Sequence, residues 1–260
     1  HRELFSLAYE ISSLDINELF SASEFGSFTG QGEIKGKGFS VDRLHASYYM
    51  HVDTLYFKAY PYSNTQFTGA IEPGAYDLQL VAMDPAFKAD LQLKLFLADS
   101  AYRAEASGIL QAQLDKQQLH EEDLNLQTSL QAQMTSGVHG LESELICRDL
   151  RLSTAEKLAV MHELKAQFTS DSMQSRFQAD ADFFNARVDF WRPADELDTL
   201  GRGYKHYFGS FRKASHMTAA NRVSFLPEIH ASLTLKDHDL LDILLGDSIL
   251  DFHSLEGSIS

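Results

Sequence analysis

A two-residue alternation of apolar and polar side chains recurs along most of this chain and limits what it can fold into. Leu91, Leu93, Leu95 and Leu97 alternate with Gln92, Lys94 and Phe96. Leu124, Leu126, Thr128, Leu130, Ala132 and Met134 hold one parity, and Asn125, Gln127, Ser129, Gln131 and Gln133 hold the other. Met173, Ser175, Phe177, Ala179, Ala181 and Phe183 alternate with Gln174, Arg176, Gln178, Asp180 and Asp182; Ala186, Val188 and Phe190 alternate with Arg187 and Asp189. Successive side chains of a strand point to opposite faces, so this period predicts strands with one apolar and one wet face. A parallel α/β sheet would instead show near-continuous apolar strands separated by long helices. Turn signals fall between the runs, at Glu72-Pro73-Gly74, Met83-Asp84-Pro85, Ala98-Asp99-Ser100 and Thr135-Ser136-Gly137. Their spacing of about 8–14 residues predicts an all-β meander of about 15 strands.

Helical candidates are few. Asp15 to Phe20 reads as one short turn with Asp15 as its N-cap, and Asp239 to Leu245 as a second, closed by Gly246. Residues 192–222 read as an insertion with a helix from about Pro193 to Thr199 and then a loop. The stretch "LDINELFSASEFGSFTGQGEI" near the start matches "DLLDILLGDSILDFHSLEGSI" at the end, which suggests a repeated architecture. No Pro-rich or Ser/Gly-rich linker divides the chain, so residues 1–260 read as one unit. No run approaches the roughly 18 apolar residues of a membrane helix. The first residue is His1 and strand character begins at Phe5, so any anchor or address is expected outside this segment.

Composition narrows the function. A net charge of −15 argues against nucleic acid, whose phosphates need clustered Lys and Arg, and against docking on anionic lipid heads. The single cysteine, Cys147, excludes an internal disulfide and reads as a small core or groove residue. Gly30-Gln31-Gly32 and Gly36-Lys37-Gly38 superficially resemble a phosphate loop but flank a strand-like Glu33-Ile34-Lys35, so they read as turn glycines. The 11 histidines show no HExxH spacing. Asp180, Asp182 and Asp189 could pair for glycoside hydrolysis, but they share a polar face with Gln174, Arg176 and Gln178 and read as solvated. The chain is therefore expected to be no enzyme and to carry no cofactor or metal. Alternation alone leaves two architectures open: an ordinary closed β-sandwich core, or a sheet whose apolar face lines a groove.

The stretch from Gly36 to Leu97 adds a family resemblance. It runs Gly36-Lys37-Gly38-Phe39-Ser40, Asp42-Arg43-Leu44, Asp53-Thr54-Leu55-Tyr56, Tyr60-Pro61-Tyr62-Ser63-Asn64, Gly69, Gly74 and Asp84-Pro85-Ala86. In that order it resembles the repeat unit of TamB-like, AsmA-related bridge proteins of Bacteroidota, departing at Pro61 and at Ala86, where the family often has Asn. "VHGLESELICRDLRLS", "HELKAQFTSDSMQSRFQADADFFNARVDFW" and the final thirty residues resemble later parts of the unit more loosely.

The resemblance implies an elongated, folded-over, taco-like sheet with an apolar groove and a few short helices, cut from a larger chain. It implies a periplasmic location, an inner-membrane anchor outside this segment and reach to the outer membrane. Phospholipid acyl chains are the implied cargo, with a TamA- or BamA-like outer-membrane β-barrel as a partner. The alternative within the family is a scaffold for β-barrel assembly by strand addition at the sheet edge. On the first reading the groove is lined by Leu91, Leu93, Leu95, Leu97, Leu124, Leu126, Leu130, Met134, Met173, Phe177, Phe183, Val188 and Phe190. Open edge strands near His1 and Ser260 are expected to self-associate or be capped by a neighbouring copy.

Overall fold

Antiparallel pairing between consecutive strands accounts for the whole architecture. The computed structural model describes residues 4–20, 24–40, 42–58, 60–120, 123–138, 140–191, 229–236, 238–240, 243 and 254–259. Fourteen strands follow one another: β1 (Leu4–Asp15), β2 (Phe25–Lys37), β3 (His45–Phe57), β4 (Tyr60–Glu72), β5 (Ala75–Met83), β6 (Phe87–Ala98) and β7 (Ala101–Gln113), then β8 (Asn125–Gly137), β9 (Gly140–Ser153), β10 (Leu158–Ser170), β11 (Ser175–Ala181), β12 (Phe184–Phe190), β13 (Ile229–Lys236) and β14 (Ser254–Ile259). They form a single sheet in chain order, with β1 and β14 at its edges. The sheet is open and uncurled: it is the all-β meander that the alternation predicts and elongated as the resemblance implies, but it is not folded over. At about 4.8 Å per strand it extends about 60 Å from edge to edge.

One short helix, α1 (Ile16–Phe20), joins β1 to β2. Asp15 caps it as expected, its Oδ1 accepting the backbone N–H of Asn17 at 2.9 Å and of Glu18 at 3.3 Å. Residues 239, 240 and 243 are helical as well, in the connection from β13 to β14. The two stretches that resemble each other in sequence thus share an arrangement of strand, short helix and antiparallel neighbour. The 192–222 insertion with its helix lies outside the described residues.

The hairpin turns follow ordinary turn chemistry, one at an expected place and one not, while the expected turn at Thr135-Ser136-Gly137 lies within β8. Pro73 and Gly74 close β4 to β5, Gly74 taking φ 73°, which glycine adopts without Cβ strain. Asp171 organises the β10–β11 turn by accepting the N–H groups of Met173 and Gln174 at 2.7 and 2.9 Å.

The pairing register turns thirteen separate hairpins into continuous lanes. Residues directly opposite in an antiparallel pair share a face. Followed from strand to strand, one lane reads Leu7, Ile34, Tyr48, Gly69, Leu78 and Leu93 over β1 to β6. It continues as Ala106, Ala132, Leu145, Ala166, Ala179, Ala186 and Leu233 over β7 to β13. The lane beside it carries Tyr76, Leu95, Ala104, Met134, Ser143, Phe168, Phe177 and Val188 over β5 to β12. The lane between them, on the other face, reads Asp77, Lys94, Glu105, Gln133, Glu144, Gln167, Gln178 and Arg187. The sheet therefore has one dry face and one wet face.

Three of the glycines expected in turns lie inside β2, and only Gly38 sits in the turn. Aromatic rings account for the difference. A Cβ on Gly32 would meet the Tyr9 ring at 2.5 Å, and one on Gly36 the Phe5 ring at 2.7 Å. Glycine in β2 leaves room for rings that lie across from β1.

Among the described residues, packing closes the dry face near one end of the strands, where α1, residues 238–240 and Ile243 lie. Leu240 and Ile243 pack with Leu124, Leu152, Ala159, Met161 and Phe183 into a buried cluster. Further along the same end, Asp84 is buried and accepts hydrogen bonds from Tyr60 Oη at 2.5 Å, Ser63 Oγ at 2.8 Å, Ser63 N at 3.0 Å and Ala86 N at 2.8 Å. Gln117, also buried, donates to the Ala86 carbonyl at 2.7 Å.

Candidate functional site

Away from that closed end, apolar side chains of the dry face remain in reach of solvent. In the Leu93 lane, Leu7, Leu93, Leu145 and Leu233 are 58%, 37%, 38% and 41% exposed. In a closed sandwich the inner face would be covered by a second sheet about 10 Å away. Among the described residues every strand belongs to one sheet, so no second sheet is there. Of the two architectures left open by the alternation, the described strands build the uncovered one.

This face holds a trough of about 840 Å³, lined by residues of β3 and β5 through β11. Its lining comes from the two dry lanes described above, together with the intervening residues. Those intervening residues, such as Lys94 and Glu105, have side chains of opposite parity and border the trough through their backbone. The trough therefore runs across the strands rather than along them. From β5 to β11 this is six strand spacings, about 29 Å, with the Tyr48 side chain reaching β5 from β3 at one end.

Of the residues expected to line a groove, Leu93, Leu95, Met134 and Phe177 do border the trough. Leu91 and Leu130 lie on the same face one lane away, facing each other across Gly108 of β7. Leu97 is on that face next to the β6–β7 turn, and Val188 and Phe190 carry it into β12. Leu126 is on that face as well, but packs against the buried cluster at the closed end. Three expected residues lie elsewhere. Leu124 precedes β8 and Phe183 follows β11, and both are sealed in the cluster with Leu240. Met173 is in the β10–β11 turn and 75% exposed, because Asp171 bends the chain there. All three lie beyond the ends of their strands, where parity alone does not fix what covers a side chain.

Residues the leucine pattern overlooked supply most of the lining. They are Tyr48, Tyr76, Leu78, Ala104, Ala106, Ala132, Leu145, Ala166 and Phe168. Ala104 and Ala106 alternate with Arg103, Glu105 and Ser107, so the signal was present. Alanine contributes little hydrophobicity to such a pattern, but it makes the floor deep. Cys147 faces Leu130 and Leu164 on the dry face, and burial pushes its thiol up despite a hydrogen bond from Thr128. It is a poor nucleophile there.

The wet face pairs its charges locally. Lys165 meets Glu144 at 3.1 Å and Arg148 meets Glu163 at 3.2 Å. The three aspartates considered for hydrolysis do not converge. Asp180 accepts from Gln178 at 2.9 Å and from Asn185, and Asp182 accepts the His162 N–H at 2.9 Å. Asp189 is buried rather than solvated, clamped by Arg176 at 2.5 Å and Arg187 at 2.8 Å. Burial pushes its carboxyl up, and the two arginines outweigh that and hold it below the usual carboxylate range.

Among the described residues no three His, Cys, Asp or Glu side chains are placed to hold a metal, and no helix is long and apolar enough to cross a membrane. The trough can hold an apolar chain by burial, and its hydroxyls come from Tyr48, Tyr76 and Ser143. Comparison with protein-family models, with curated proteins and with solved structures gives no match.

Proposed function

We propose that this chain is a non-catalytic, lipid-shielding segment of a longer protein bridging the inner and outer membranes. Its dry face covers phospholipid acyl chains as they cross the periplasm. The observation that supports this best is the apolar lane that runs through every strand from Leu7 to Leu233, with exposed leucines along it. The physical need is large. Exposing a chain of about 16 methylenes to water costs about 12 kcal/mol, at about 0.8 kcal/mol per CH2. An apolar surface that continues from strand to strand offsets most of that cost along its length. The wet face, with its paired charges, keeps the opposite side of the sheet in water.

On this reading the anchor lies in a segment not included here, and the partner at the far end is an outer-membrane β-barrel. A second reading rests on the edges: β1 and β14 each pair on one side only, so a β-barrel precursor could add a strand there. Native mass spectrometry of the protein purified without detergent separates the two. Co-purified phospholipid supports the first reading. A chain that carries only bound peptide, and takes up no phospholipid from vesicles, overturns it in favour of the second.

A further inference from the structure

We infer that Tyr48 is an end stop that sets how long an acyl chain the trough covers; the inference rests on the lipid reading above. The lining of the trough ends at β3 with a single residue, Tyr48. β4 contributes Gly69 to the lane, which has no side chain, so a gap would open between Tyr48 on β3 and Leu78 on β5. The tyrosine ring lies over that gap. A Cβ built on Gly69 would stand 2.5 Å from Tyr48 Oη and 2.6 Å from Cζ. Tyr48 Oη also donates to the Asp77 carbonyl of β5 at 3.2 Å, which holds the ring across β4. Past the ring the same lane continues as Ile34 and Leu7, which do not line the trough.

The middle of the trough is built differently. Its floor there is Ala104, Ala106 and Ala132, which leave depth for a chain. An unbranched chain seated on that floor and directed toward β3 therefore meets the Tyr48 ring. Without the ring, the covered path lengthens over β4 and β3 by about two strand spacings, about 10 Å.

The test uses straight-chain fatty acids of increasing length, from octanoate to behenate, bound to the full chain and followed by competition with a fluorescent fatty acid. In the wild-type protein, affinity rises about fourfold per methylene, the equivalent of about 0.8 kcal/mol, and then levels off. Tyr48→Ala shifts the levelling point to chains several methylenes longer. Tyr48→Phe, which keeps the ring, leaves it in place. Tyr48→Val, a good strand former, is the second ring-less variant should the alanine protein fail to fold. A levelling point that does not move in a folded ring-less variant overturns the end stop alone. Absence of binding at every length in the wild-type protein overturns the lipid reading and the end stop with it.

Discussion

Leu124 and Leu93 stand on the same parity of adjoining runs, yet one is 1% exposed and the other 37%. Both belong to the face that the alternation marks as apolar. The difference lies in what covers them. Near Leu124 the chain returns over the sheet, and Leu240 and Ile243 fill the space against Leu152, Met161 and Phe183. Over Leu93 nothing among the described residues returns. One sequence pattern thus serves as a core at one end of the strands and as an open trough between its neighbours. Apolar alternation specifies a direction for side chains, and whether that direction ends in protein or in solvent depends on a second element.

The comparison can be broken most sharply at the closed end. Leu124→Asp places an unpaired charge in a sealed apolar cluster, and the protein should fail to fold cooperatively in thermal melting. Leu124→Ala should cost about 2–5 kcal/mol by denaturant titration. If Leu124→Asp melts like the wild type, the cluster is not closed in solution.

Next in size is the buried Asp84 network, at the same end. Burial pushes the Asp84 carboxyl up, but hydrogen bonds from Tyr60, Ala86 and Ser63 together outweigh it and hold it below the usual carboxylate range. A depressed carboxyl stabilises the fold above its ordinary pKa and ceases to do so as pH falls through the folded value. Asp84→Ala should cost about 1–3 kcal/mol at neutral pH, and its stability should fall less steeply than that of the wild type below about pH 4. Tyr60 shows the opposite sign. Burial first, then its bond to Asp84, pushes its hydroxyl up to about 12. That contribution is complete below the ordinary tyrosine value of 10.0 and is lost as pH rises through about 12. Tyr60→Phe should remove this alkaline component, read as a shift in Tm between neutral and strongly alkaline buffer.

At the trough the same kind of change should be mild. Leu93→Arg puts a long side chain on a surface it can leave for water, so the loss should stay near 1 kcal/mol or below. Lipid photocrosslinking should nevertheless be lost. Collapse of the fold would mean that Leu93 is covered in solution, and unchanged crosslinking would remove β6 from the lipid path.

The smallest effect is expected one residue away. Gln92 points to the wet face, because a single step along a strand reverses side-chain direction. Gln92→Arg should stay within about 0.5 kcal/mol of the wild type and leave lipid capture unchanged. A loss of crosslinking equal to that of Leu93→Arg would erase the distinction between the faces.

Much of this arrangement was legible in local chemistry. Leu91 to Leu97 announced β6 and its face, Asp15 announced the cap of α1, and Pro73-Gly74 announced a hairpin. The face shared by Leu93 and Met134 followed from parity once β7 was placed between them. Less legible was anything that depends on a partner across the sheet. Gly32 reads as a turn residue until the Tyr9 ring is seen lying over it, and Ala132 reads as filler until it becomes the trough floor.

The sequence by itself determined most strands, several of the turns and the division into dry and wet faces, because each depends on neighbours within a few residues along the chain. Only the tertiary structure decided that Leu124 and Phe183 are sealed while Leu93 and Phe177 border a trough. It alone also set Tyr48 across Gly69. Those outcomes depend on which strand lies beside which, and on where Leu240 and Ile243 return over the sheet. Contacts between residues far apart in sequence leave no period in the chain to be read.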